Sequence, residues 1–411
     1  MNPFPILLAD LRSMRFSAVF IVILIGIAVA IGVAVGAQER ALRQASSRAA
    51  ADFPLLVGAP SSQTQLVLTT VYLQPEALPL MDGSVLNALL RDPGVADAAP
   101  LAYGDVVMGY PVVGTTTGFV TRWGRLSPSE GRIFAKEGEA VVGAEVALPL
   151  GQIIRPAHAV AGHPSAPGVA DAEEESHRHA TQITIVGRLP PTNSPWDRAI
   201  LIPVESVWET HGLGDGHADG EAEGRIGPPF ADAAPGLPAI VVKPRSVAAA
   251  YQLRAHYRRN GTMALFPAEV LTSLYQTVGD IRDLLVVAAA ANNIVVFLAI
   301  MLLLVTLAML RRRRYAVLRA LGATRLYVCL AVWLTSSALV TAGCLLGVAL
   351  GWGGAIWLSA LITARTGLAL APAPGLEEAM LCLGMTLVGG VMSLLVAIFA
   401  TRGSVVQSLR S

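Results

Sequence analysis

The stretch FSAVFIVILIGIAVAIGVAVGA, Phe16 to Ala37, carries one hydroxyl and no charge. About 20 predominantly apolar residues in a helix cross the hydrocarbon core of a bilayer. Three further stretches read the same way: Leu284–Leu310, the run from Tyr327 to Ile362, and Ala379–Ala400. The third exceeds one crossing and is expected to bend or project at Gly351-Trp352-Gly353-Gly354. The pattern predicts a membrane protein with four transmembrane helices, at 16–37, 284–310, 327–362 and 379–400. Of the 411 residues, 54% are hydrophobic and 14% charged, too apolar for an ordinary soluble enzyme. A net charge of +1 gives no electrostatic reason to expect a nucleic-acid partner.

A cleaved signal peptide is the rival reading of the first run, since VGA-QE has a small-residue cleavage pattern. The run is longer than a usual signal core and contains Gly32-x-x-x-Gly36, which suits helix packing, so retention is expected. Short flanking loops set direction. Arg12 and Arg15 precede the first run, Arg311–Arg314, Arg319 and Arg325 separate the second from the third, and Arg402 and Arg410 follow the fourth. The loop between the third and fourth holds Glu377 and Glu378 and no base. Residues 1–15, 311–326 and 401–411 are therefore expected in the cytoplasm of a multi-pass inner-membrane protein, and 38–283 outside it.

Residues 38–283 read as an α+β domain. Segments 38–53 and 268–283 are expected to form a helical stalk. PLLVGA, TQLVLTTVYL, YPVVGTT, EAVVGAEVAL, QITIVGRL, RAILIPV and PAIVVKP read as strands, with SVLNALLRD and SVAAAYQLRAHYRR as helices. Six of the seven histidines fall in the loop-like region 157–221: His158, His163, His177, His179, His211 and His217. Imidazole is a common zinc ligand and nearby carboxylates can complete a shell. Their spacing matches no strict motif, so a zinc site stands beside a polar loop in which histidine is incidental. Cys329, Cys344 and Cys382 all lie in apolar runs, which argues against a disulfide framework or a cysteine-type zinc site. Gly343, Gly347 and Gly351 recur every four residues. That spacing lets helix backbones approach, either within one subunit or across a dimer.

The chain has two lysines, Lys136 and Lys243, and neither follows a glycine as a P-loop requires. G-x-S-x-G and H-E-x-x-H are also missing, so no catalytic residue is assigned and the chain is expected not to be an enzyme. One stretch remains: RRRRYAVLRALGATR, Arg311–Arg325. Four arginines suit a membrane boundary, but an anchor needs no apolar stripe. Val317, Leu318 and Leu321 can share one helical face, with Arg314, Arg319 and Arg325 as charges and Gly322 as the helix stop.

That stretch, the order of one span, a large outside domain and three spans, and the segments VVGAEVA and ITIVGRL/RAILIPV resemble the FtsX-like permeases, the MacB-type ABC transporter subunits. The resemblance implies a MacB-like periplasmic core domain and a cytoplasmic coupling helix at 311–326. It implies a mechanotransmitting permease homodimer served by two copies of a separate ATPase subunit, which would bind the ATP and magnesium. A periplasmic adaptor or lipoprotein would be a further partner, with membrane lipid around the spans. The substrate could be exported, released or handed over. A regulator of an envelope hydrolase and a membrane-anchored metal-binding protein are the alternatives.

Overall fold

The computed structural model describes residues 4–74, 76–158, 179–218, 220, 224–259, 261–274, 276, 312–373 and 375–401, with seven single positions between 294 and 309. Two compact units emerge. One comprises Met1–Leu42, Gly279–Leu361 and Leu370–Ser411; the other comprises Arg43–Val278 and Ile362–Ala369.

The first unit is helical: its described residues include the helices Phe4–Ser13, Arg312–Ala320 and Leu376–Thr401 and the greater part of Arg15–Ala50 and of Arg325–Thr366. Along Arg15–Ala50, Ile21, Ile25, Val29 and Val33 recur every fourth position and are buried. Its other face exposes Phe16, Phe20, Ile23, Ile27, Ile31 and Val35. A continuous apolar face of that size is unfavourable in water and favourable in lipid. These long apolar helices mark a membrane-associated protein.

The expected four spans are corrected to two. Among the described residues, only Arg15–Ala50 and Arg325–Ala364 are long and apolar enough to cross a membrane. The C-terminal helix, Leu376–Thr401, contributes a shorter apolar stretch among the described residues, Cys382–Leu395. The expected span at 284–310 lies almost entirely outside the described residues. The third run lies in one 42-residue helix, Arg325–Thr366, that continues through the glycine cluster. The outward stalk at 38–53 is likewise the continuation of a single 36-residue helix as far as Ala50.

The second unit is built on an eleven-stranded sheet, counted among the described residues. In chain order its strands are β1 (Leu55–Gly58), β2 (Val95–Val107), β3 (Tyr110–Thr115), β4 (Glu130–Gly131), β5 (Glu139–Val142), β6 (Ile153–Ile154), β7 (Ala157–His158), β8 (Ile183–Arg188), β9 (Ile200–Pro203), β10 (Ala239–Pro244) and β11 (Met263–Leu265). The main path runs β11-β1-β10-β2-β3-β9-β5-β8-β4, with β6 on β8 and β7 on β2. Most ladders are antiparallel; β3 with β9 and β5 with β8 are parallel. Every residue of β1, β5 and β9 is buried, which explains their unbroken apolar character.

Two local readings change. TQLVLTTVYL is not a strand but most of the helix Gln63–Tyr72. Ser62 caps it by accepting the Gln65 N–H, and Leu73 ends it in the left-handed region. Packing overrides the β-propensity of its valines and threonines, with Leu66, Val67, Thr70 and Val71 all buried. Conversely VADAAPLAYGDVV, rich in alanine and aspartate, is the longest strand, β2. It turns into β3 through Met108 and Gly109, both at positive φ, as a tight hairpin of this kind requires.

Candidate functional site

Asp105 lies on β2 just after a bulge at Gly104, whose φ of +140° is open to glycine. Bulges of this kind re-aim the following side chain. Asp105 is buried, with 3% of its side chain exposed. Its antiparallel partner on β7 is His158, so the pair shares one face of the sheet. His179 is tied to the same edge by its backbone N–H, which donates to the Pro156 carbonyl at 2.8 Å. His211 caps the helix Val204–Thr210.

These three imidazoles converge on one oxygen. Asp105 Oδ1 is 3.4 Å from His158 Nδ1, 3.3 Å from His179 Nε2 and 3.7 Å from His211 Nε2. All four donor atoms lie within 4.8 Å of one another. His211 Nδ1 donates to the Val207 carbonyl at 2.8 Å, since that carbonyl can only accept. A cluster of one buried carboxylate and three more accessible imidazoles, able to coordinate a metal ion, is therefore present.

The six histidines expected as ligands separate. His158, His179 and His211 come together; His163 and His177 lie outside the described residues. His217 is a core residue: its Nε2 is 3.6 Å from Glu205 Oε1, both side chains are 1% exposed, and its ring stacks on Phe230. Burial raises the Glu205 carboxyl, while its bond from the Gly227 N–H and the nearby His217 act the other way. Sequence reading missed Asp105 because β2 itself was missed. The usable signal was DVV-Met-Gly-YPVV, two short apolar runs around a two-residue turn.

Glu137 belongs to an acidic group with Glu205, Glu209 and Asp215. Its carboxyl is pushed up to about 8 by burial first, then by its hydrogen bond with Glu209 and by neighbouring negative charge. The folded chain holds this proton while the unfolded chain releases it near pH 4.5. This contribution to stability is complete below that pH and is lost as pH rises towards 8. Glu137→Gln should therefore raise the thermal midpoint clearly at pH 7.5 and hardly at pH 5. An equal shift at both values, followed by circular dichroism, would contradict this ionisation.

The basic helix Arg312–Ala320 ends in the expected way. Gly322 has φ +98°, Ala323 N–H donates to the Leu318 carbonyl at 3.0 Å, and Gly322 N–H donates to that of Arg319 at 3.1 Å. Its apolar residues do not share one face, however. Leu318 packs inward against the cluster of Tyr315, Val328, Val332 and Ala397. Val317 and Leu321 are 46% and 80% exposed, and Arg314 is exposed one turn earlier. Arg319 is half-buried, and exposed Arg325 opens the next helix. Gly343, Gly347 and Gly351 face the Arg15–Ala50 helix. A Cβ on each would lie 2.6 Å from Ile25 Cβ, Val29 Cβ and the Ala30 carbonyl oxygen respectively.

Residues 286–406 match the family model described as FtsX-like permease C-terminal. That match covers less than half the chain, includes the basic helix, and supports an assignment to that permease class at the family level. Among solved structures, the chain is similar to the periplasmic region of MacB from Actinobacillus actinomycetemcomitans, with 10% identity and a TM-score of 0.31. The similarity covers 54% of this chain and 94% of that one. It is also similar to the extracellular domain of the noncanonic ABC-type transporter YknZ from Gram-positive bacteria, with 12% identity and a TM-score of 0.30, over 51% and 98% of the two chains. No curated protein matches it.

Proposed function

We propose that the chain is the permease subunit of a mechanotransmitting ABC system whose energy comes from a separate ATPase. The observation that carries this is the exposed apolar pair Val317 and Leu321 on a basic helix inside the region matching the permease family. With no P-loop lysine in the sequence, the nucleotide has to be bound by a partner. Arg314 and Arg325 add charge around the apolar pair, a pattern that suits a docking face with a polar rim.

In this reading the basic helix lies on the cytoplasmic side of the inner membrane and the α+β unit outside it. Two permeases pair with two ATPase subunits. ATP-driven closure of the ATPases moves the basic helices. Gly322 turns the chain directly into the helix Arg325–Thr366, which gives that movement a rigid path. The outside unit then exports, releases or hands over its substrate to an envelope partner.

The test is purification of the tagged chain from its native membranes in mild detergent. A stably associated ATP-binding subunit with hydrolytic activity is the expected result. A chain that purifies without any ATPase, under conditions that keep other membrane complexes intact, would refute the reading.

A further inference from the structure

We infer that Asp105, His158, His179 and His211 form a tetrahedral binding site for a divalent transition-metal ion of the zinc class. The inference stands on the geometry of the α+β unit and not on the permease reading.

Tetrahedral zinc with bonds of about 2.0–2.1 Å places its ligand atoms about 3.3–3.4 Å apart. Two of the distances from Asp105 Oδ1 to imidazole nitrogens, 3.4 and 3.3 Å, match that edge, the third is 3.7 Å, and all four donor atoms fall within 4.8 Å of one another. The His211 hydrogen bond gives a second, independent indication. Its Nδ1 proton is committed to the Val207 carbonyl, so in the neutral ring Nε2 turns a lone pair toward the carboxylate. Two acceptors facing each other at that distance repel unless a proton or a metal ion lies between them. The same bond fixes the ring's tautomer and direction, as partners of metal-bound histidines do. The neighbouring supports are also backbone-fixed: β2 and β7 set Asp105 opposite His158, and the Pro156 carbonyl holds the His179 backbone.

The donor set selects the ion. Three imidazoles and one carboxylate suit zinc, while calcium and magnesium want oxygen shells, and copper(II) prefers a tetragonal arrangement. Four protein donors close a tetrahedral shell and leave no position for an activated water. The site therefore holds an ion rather than performing hydrolysis, and the exposed His158 gives the ion a route from solvent.

The full chain in detergent, stripped with a chelator, is titrated with Co²⁺ and then Zn²⁺. The wild type should show the intense visible absorption of tetrahedral Co²⁺, displaced by a single equivalent of Zn²⁺. His179→Ala with His211→Ala should lower Zn²⁺ affinity by at least about 100-fold. His163→Ala with His177→Ala, and separately His256→Ala, should leave it unchanged. A wild type without tetrahedral Co²⁺ bands overturns the site and leaves a histidine–carboxylate ion pair. Unchanged affinity in the first variant, or loss confined to the His163/His177 variant, overturns it too. The wild-type spectrum decides even if a variant fails to fold.

Discussion

Val317→Asp together with Leu321→Asp should leave the chain folded and membrane-inserted and abolish its hold on the ATPase subunit. Both side chains project from the basic helix, 46% and 80% exposed, so the isolated chain loses little from the exchange. At a docked interface the same exchange removes two apolar contacts, each worth about 1–3 kcal/mol. It also buries two carboxylates without partners, which adds several kcal/mol. Association should weaken by more than about 100-fold, since each tenfold is 1.4 kcal/mol. ATPase stimulation should vanish with it. Leu318→Asp is the informative contrast. Leu318 packs with Tyr315, Val328 and Val332, so its loss should lower thermal stability in detergent as well as coupling. Normal stimulation of the ATPase by the double variant would remove the docking face from the account.

Gly347→Leu should be the most damaging single substitution in the helical unit. A Cβ at Gly347 already meets Val29 Cβ at 2.6 Å and the Gly26 carbonyl oxygen at 2.7 Å, distances that real atoms do not tolerate. Gly343 and Gly351 are equally tight against Ile25 and Ala30, so the helices cannot tilt locally to admit a side chain. A backbone contact is harder to relieve than a flexible side chain. Ordinary overpacking costs about 1–3 kcal/mol, and this clash against backbone should exceed that range. The variant should reach the membrane poorly and aggregate on detergent extraction, with the thermal midpoint of any soluble fraction sharply lower. Gly353→Leu, where a Cβ meets nothing within 4 Å, should be tolerated. Equal behaviour of the two variants would show that the close approach does not hold the helices together.

Much of this was readable from residue patterns because the signals were local. Gly322 follows a helical stripe and adopts the left-handed conformation that glycine allows, and the glycines at 343, 347 and 351 meet a neighbouring helix at their four-residue spacing. Other features depended on packing that no local pattern encodes. Leu318 and Val317 are neighbours in sequence but about 100° apart around the helix, and the presence of Val328 and Val332 makes Leu318 the one that packs inward. Hydropathy treated four runs alike, whereas among the described residues only Arg15–Ala50 and Arg325–Ala364 are long and apolar enough to cross. TQLVLTTVYL has the composition of a strand, and the burial of Leu66, Val67, Thr70 and Val71 holds it as a helix instead. Asp105 was invisible because it sits on an alanine-rich strand, 53 positions before the histidine that the sheet register places opposite it. A metal shell gathered from strand, loop stem and helix cap has no spacing motif to read.

The most direct measurement is site-specific photocrosslinking from a photoreactive residue at position 321 in native membranes. A covalent adduct with an ATP-binding subunit is the expected result, weakened when Val317 is replaced by aspartate. Crosslinks to lipid or to the chain itself alone, with a photoreactive residue at Val317 behaving in the same way, would contradict it.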